Sequence, residues 1–226
     1  MTMPRDEYQQ TLDDLRGNVR SFGGDALVQL DRGLTALTGG DRDLAESVVA
    51  GDEPLNDRYL ALESDCIELF ALQQPVASDL RFVAASFKVL TDIERVGDLA
   101  ANLGRYALAA DRAGPADVDV DAIGTVARDQ VEAALDAYAD EDAEACRAVA
   151  ARDDELDTLC QNASERVVRE LVEHEAGEDA WALERTLDDV SRVLLTVRDL
   201  ERVGDHAVNI AARTLYAVES DPELVY

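Results

Sequence analysis

One eleven-residue stretch occurs twice in this chain, and no other feature limits the fold as much. Asp92-Ile93-Glu94-Arg95-Val96-Gly97-Asp98-Leu99-Ala100-Ala101-Asn102 returns 107 positions later as Asp199-Leu200-Glu201-Arg202-Val203-Gly204-Asp205-His206-Ala207-Val208-Asn209, with eight of the eleven residues identical. Self-similarity this close marks two copies of one structural unit. Each copy lies among good helix formers, so Glu94, Asp98 and Asn102 recur every four residues along one polar stripe, and Glu201, Asp205 and Asn209 along another. Two carboxylates and an amide stacked over two turns offer several oxygen donors to one spot, the donor type that hard metal ions take.

The repeat divides the 226 residues into two similar halves, expected at 1–113 and 114–226. No run of eighteen apolar residues and no basic, apolar leader before Pro4 occurs, so neither membrane insertion nor a signal peptide is expected, and the chain reads as cytoplasmic. Cys66, Cys146 and Cys160 are scattered and odd in number, which predicts reduced, buried, unreactive thiols. The formal net charge is -28, and Lys88 is the single lysine. In molar salt the Debye length shrinks to about 3 Å and such self-repulsion largely disappears, which points to a salt-accumulating cell such as a halophilic archaeon. Nucleic acid is not an expected partner, because phosphate binding needs clustered Lys and Arg and no cluster is visible along the chain.

Periodicity predicts an all-α fold: two tandem antiparallel three-helix bundles, with no period-two segment to suggest a strand. The first helix is expected from about Pro4 to Thr38, with Tyr8, Leu12, Leu15, Val19, Phe22, Ala26, Leu30, Leu34 and Leu37 as its seam. Gly39-Gly40 ends it and Asp41 caps the second, whose seam is Leu44, Val48, Leu55, Tyr59, Leu62, Cys66 and Leu69. Gly51 and Pro54 predict a kink or a brief break in that second helix. A third helix is expected from Pro75 to about Ala113, with two apolar flanks, Leu80/Val83/Phe87/Leu90 and Phe82/Val89/Ile93/Val96/Leu103, suited to two neighbours. Beyond the linker at Gly114-Pro115 the plan repeats, with helices at about 119–138, 142–173 and 179–219, the last with Leu183, Leu187, Val190, Leu194, Val197, Leu200 and Val203 as its seam.

Folding the second and third helices into a hairpin about Gln74/Pro75 brings Asp52 level with Asp98 and Asn56 level with Glu94. A hairpin about Asp179 brings Asp153 level with Asp205 and Asp157 level with Glu201. In both halves an Asp-x-x-x-Asn/Asp pair thus faces a Glu-x-x-x-Asp pair, the way helical bundles build carboxylate metal sites. The nearly histidine-free shell favours iron, manganese, magnesium or calcium over zinc. Gly97 and Gly204, each in a helix interior at a cost of about 1 kcal/mol relative to alanine, predict a close neighbour or ligand. Arg95 and Arg202 are expected to pair with Asp92 and Asp199, and His206 to be a helix-surface histidine. No nucleophile with a base and no phosphate loop stands out, so catalysis is not expected.

At these residues the chain resembles the PhoU family of phosphate-signalling and phosphate-transport accessory proteins. The likeness rests on the doubled Leu/Ile-Glu-Arg-Val-Gly-Asp motif with Asn102 and Asn209, and on the stretch from Leu72 to Arg81 before the first copy. Met3-Pro4-Arg5 and the segment from Gly51 to Glu63 fit as well, so that it covers essentially the whole chain. The resemblance implies a pair of three-helix bundles and multinuclear iron or zinc clusters at Glu94/Asp98 and Glu201/Asp205. It also implies negative regulation of phosphate uptake by contact with the cytoplasmic components of the phosphate ABC transporter, action on a sensor kinase, and a homodimer. With no DNA-binding segment in view, direct transcriptional control is not expected. Two other readings compete: a metal-dependent enzyme or metal-storage bundle using the same carboxylates, and a repeat that serves packing alone.

Overall fold

The computed structural model describes residues 5–72, 77–110, 118–174 and 180–224. Eight α-helices run through them: α1 (Arg5–Gly39), α2 (Arg42–Ala50), α3 (Asp52–Leu72), α4 (Ala77–Ala109), α5 (Val120–Asp140), α6 (Ala143–Ala151), α7 (Asp153–His174) and α8 (Ala180–Glu219). The expected turn at Gln74/Pro75, the linker at Gly114-Pro115 and the pivot at Asp179 lie outside the described residues. No strand occurs among those described.

Local chemistry sets most boundaries. Gly40 closes α1 in the left-handed conformation (φ 64°). Asp41, Asp119 and Asp142 then each accept a hydrogen bond from the backbone N–H three residues on, capping α2, α5 and α6; such a cap contributes about 1 kcal/mol. The expected break in the second helix is present at Gly51. Pro54 sits in the first turn of α3, where its missing N–H would have had no partner in any case. The fifth helix, expected to be continuous, is also broken. Arg152 separates α6 from α7 without glycine or proline, and Asp153, Asp154 and Glu155 in the next turn favour a new helix start. The third helix ends at Ala109, short of the expected Ala113.

Each half is an up-down-up bundle. Leu55 of α3 meets Gly97 of α4 and Leu156 of α7 meets Gly204 of α8, so the antiparallel hairpins form as the spacing predicts. The seam of α1 is buried from Tyr8 to Leu34 around Phe22 and Leu30, which are sealed from solvent; burying one such side chain contributes about 1.5–3 kcal/mol. The halves do not stand apart. α4 and α8 cross antiparallel at the centre, α1 and α5 pair beside them, and one continuous core includes residues of both repeats. α4 therefore has more than the two neighbours its flanks suggested, touching α1, α2, α3 and α8. Two seam residues face outward instead of inward: Leu80 and its repeat mate Leu187 are each 44% exposed.

The closest backbone approach supplies a test. A Cβ on Gly33 of α1 would lie 2.9 Å from the Ala100 carbonyl oxygen of α4 and 3.3 Å from Leu103 Cβ. Backbone cannot swing aside as the end of a leucine can. Overpacking of about 1–3 kcal/mol therefore outweighs the gain in helix propensity of about 1 kcal/mol. Gly33→Ala is expected to lower the urea midpoint, whereas Gly97→Ala, which meets only the tip of Leu55, is expected to be milder; equal midpoints would show that α1 and α4 can separate freely.

Candidate metal centre

The two acidic stripes lie on the outward sides of the α3/α4 and α7/α8 hairpins, and they differ. In the first, Arg95 bonds Asp98 at 2.8 Å and stands 3.5 Å from Glu94. Arg105 donates to Asn102 Oδ1 at 2.7 Å and reaches Asp52 at 3.4 Å. Burial raises the Glu94 carboxyl above its ordinary range, with the charges of Asp98 and Asp52 adding to that and Arg95 opposing it. Asp52 is thus brought to the stripe. Asn56 is exposed, and among the described residues no hydrogen bond draws it in.

In the second stripe the charge of Asp157 acts on all three of the other expected carboxylates. Glu201 is raised by burial, then by Asp157, Asp205 and Asp153. Asp205 is raised by burial and Asp157, and Asp153 by burial, Asp157 and Asp205, while Gln130 donates to Asp153 at 3.1 Å. Among the described residues none of these four carboxylates has an ion-pair partner. Ala212 replaces the arginine that Arg105 would have as its mate, and Arg202 turns to Asp199 at 3.7 Å. As the side chains stand, no three His, Cys, Asp or Glu among the described residues are arranged around a single ion. The second donor set nonetheless fits a hard cation by its chemistry, since four carboxylates are gathered there, three of them raised by burial and by their neighbours' charge, and Arg198 and Arg202 offset that repulsion without forming an ion pair with any of the four.

Between the stripes lies a set of contacts that hairpin geometry could not reveal. His206 is half-buried, not a surface residue, and its Nδ1 lies 2.9 Å from Asp92 Oδ1 across the α4/α8 crossing. Asp92 therefore pairs with His206, not with Arg95 as expected. At the symmetry-related position Asp199 is buried and accepts hydrogen bonds from Tyr106 OH at 2.8 Å and Asn102 Nδ2 at 3.1 Å. Asn102 thus leaves the carboxylate stripe to join the halves, and Asn209 makes no matching contact among the described residues. The thiols behave as expected: burial pushes Cys66 and Cys160 up to about 12 and Cys146 to about 11, so none is a nucleophile at neutral pH.

Comparison with known proteins agrees with this architecture. The family model described as the PhoU domain matches twice, at residues 19–107 and 120–214. The "phosphate-specific transport system accessory protein PhoU homolog" of Caulobacter vibrioides (strain NA1000 / CB15N) is 35% identical, over 90% of this chain and 86% of that protein. The Escherichia coli (strain K12) "phosphate-specific transport system accessory protein PhoU" is 31% identical over 94% of this chain and 86% of that one. The crystal structure of PhoU from Pseudomonas aeruginosa superposes with a TM-score of 0.86 at 30% identity, covering 95% of this chain and 100% of that chain. That of the phosphate transport system regulatory protein PhoU from Streptococcus pneumoniae gives 0.85 at 24% identity, a likeness of fold.

Proposed function

We propose, since the chain belongs to the PhoU family, that it restrains phosphate uptake by contact with the cytoplasmic components of a phosphate ABC transporter. The observation that carries this reading is that relatives named as phosphate-transport accessory proteins match almost end to end, both repeats included. In this reading the protein acts at the transporter's inner face as a docked partner; among the described residues no helix is long and apolar enough to cross a membrane. A sensor kinase is a second partner of the same kind, and a homodimer the proposed assembly. Apolar side chains stand outward on α3 and α7, with Ile67 53% and Val172 66% exposed, and these supply contact surface on each half.

In this reading Asp153, Asp157, Glu201 and Asp205 hold the better-fitted metal, with Glu94, Asp98 and Asp52 at the other stripe. An iron or zinc cluster, or manganese or magnesium, would supply positive charge that neutralises these acids and ties α7 to α8. Such a part is structural or sensory and needs no catalysis, in keeping with relatives named as accessory and regulatory proteins.

Deletion of the gene is expected to raise phosphate uptake under phosphate-replete conditions, with restoration by the wild-type gene. Ile67→Asp with Val172→Asp is expected to lose co-purification with the transporter's ATP-binding subunit while its melting stays nearly unchanged, because surface substitutions shift stability by only about 0.5 kcal/mol. Uptake that is the same with and without the gene would remove the regulatory reading. Undiminished co-purification of the double variant would move the docking surface elsewhere.

A further inference from the structure

Cations gather at one place on this molecule, and the acidic sequence gives no hint of it. A cavity of about 510 Å³ lies between the first turns of α4 and the end of α8, and Arg81, Lys88 and Arg213 line it together with Leu80, Tyr216 and Pro222. The chain has 21 cations for 49 acids, so acids outnumber cations more than twofold. Arg16, Arg20, Arg58, Arg95, Arg105, Arg128, Arg147 and Arg192 all hold carboxylates. Among the described residues neither Arg81, Lys88 nor Arg213 does. The Nε atoms of Arg81 and Arg213 are sealed from water and have no hydrogen-bond acceptor.

The internal repeat acts as a control on this arrangement. At the equivalent places of the other half stand Asp188 for Arg81, Leu195 for Lys88 and Tyr106 for Arg213. The other end of the same crossing also carries a cation, Arg192, but that one is bonded to Asp189 and to the Ala109 carbonyl oxygen, so cations without a carboxylate partner are not a general need of the helix packing. Arg81 and Lys88 are seven residues apart on one face of α4, about 10 Å along its axis, and Arg213 faces them from α8. That span suits an anion with more than one charged group. Leu80, 44% exposed, and Tyr216, 42% exposed, add an apolar rim on which a flat ring can rest.

We propose that the cavity between α4 and α8 binds a phosphorylated organic anion of nucleotide size, its phosphates on Arg81, Lys88 and Arg213 and its ring against Tyr216 and Leu80. Guanidinium groups match phosphate oxygens in a bidentate fork, and a cavity of this volume lies in the range that small ligands occupy. A long polyanion is disfavoured, because three cations cannot offset the repulsion from a net charge of -28. The site uses none of the residues of the carboxylate stripes and goes beyond the regulatory reading; either can fail without the other.

Lys88, as the single lysine, makes the test specific. Amine acetylation of the full-length protein, followed at the Lys88 peptide by mass spectrometry, is run with a chelator present so that no divalent ion bridges ligand and carboxylates. ATP at millimolar concentration is expected to slow Lys88 acetylation about tenfold, the protection given by ligand at tenfold its dissociation constant. Inorganic phosphate is expected to protect less, and adenosine hardly at all. Arg81→Gln with Arg213→Gln is expected to abolish the ATP effect and the control Arg166→Gln to preserve it. Tyr216→Ala, a milder exposed change, is expected to weaken protection by ATP but not by phosphate. A Lys88 rate indifferent to ATP in the wild type overturns the proposal whatever the variants do. Protection by a polyglutamate peptide equal to that by ATP overturns it as well, assigning the cavity to an acidic protein segment.

Discussion

Protein carrying Glu201→Gln with Asp205→Asn, purified in molar salt without a chelating tag, is expected to hold roughly half the iron, zinc or manganese of the wild type, and most of any loss to fall on the tighter site. Mass spectrometry of metal content is the readout. The expectation follows from the asymmetry of the stripes: Arg95 and Arg105 already occupy the acids of the first, whereas the second has four carboxylates and no ion pair among the described residues. The chelated proteins are expected to differ in pH dependence. Burial and mutual repulsion raise the folded-state pKa of Glu201, Asp205 and Asp153 above the ordinary carboxylate range. Between the unfolded values, about 4, and the raised folded ones, the native state binds more protons than the unfolded state. Stability therefore falls as pH rises through that window and levels off above it. The double variant, lacking two of these acids, is expected to fall less and to melt higher than the chelated wild type at neutral pH. Equal metal contents together with identical pH profiles would reduce the stripes to solvated surface.

The difference between the stripes marks where sequence reasoning reached and where it stopped. The motif copy and its period were enough for two helical bundles, the turn chemistry for the cap at Asp41 and the approximate helix starts at 119 and 142, and the spacing for the hairpin registers that set Leu55 against Gly97 and Leu156 against Gly204. All of these follow from local periodicity and from folding adjacent helices upon one another. Contacts between the halves do not. Nothing in a linear pattern says that α4 and α8 cross antiparallel, and on that crossing depend the bonding of His206 to Asp92, the burial of Asp199 and the meeting of Arg81 and Lys88 with Arg213. The same gap explains Leu80 and Leu187, which keep the helical period but lie where the crossing helices no longer cover them. It also explains why the sequence shows no basic cluster: its members lie up to 132 positions apart. The break at Arg152 had no glycine or proline to announce it, only three successive acids that favour a helix start.

Asp199→Ala is expected to be the most destabilising single change at the α4/α8 crossing, by about 2–3 kcal/mol, since hydrogen bonds to a charged group are worth about 1.5–3 kcal/mol and two donors lose their acceptor together. Asp199 is 5% exposed, with Tyr106 OH at 2.8 Å, Asn102 Nδ2 at 3.1 Å and Arg202 at 3.7 Å. Burial and the Asp199 charge push the Tyr106 hydroxyl up to about 12, so it remains a donor across the accessible pH range. A chain of this size loses about 2–4 °C of melting temperature per kcal/mol, so the change is readable by thermal denaturation. Tyr106→Phe alone is expected to cost about 1 kcal/mol and to cost almost nothing once Asp199→Ala is present, a coupling that a double-mutant cycle measures. Asp199→Asn keeps an acceptor oxygen and is expected to lose less than alanine. Additive losses for Asp199→Ala and Tyr106→Phe would mean that each side chain is served by water and that the crossing is held by its apolar contacts alone. Strong coupling would mean that the two repeats are joined through one buried carboxylate that belongs to the second copy of the motif and is held by the first.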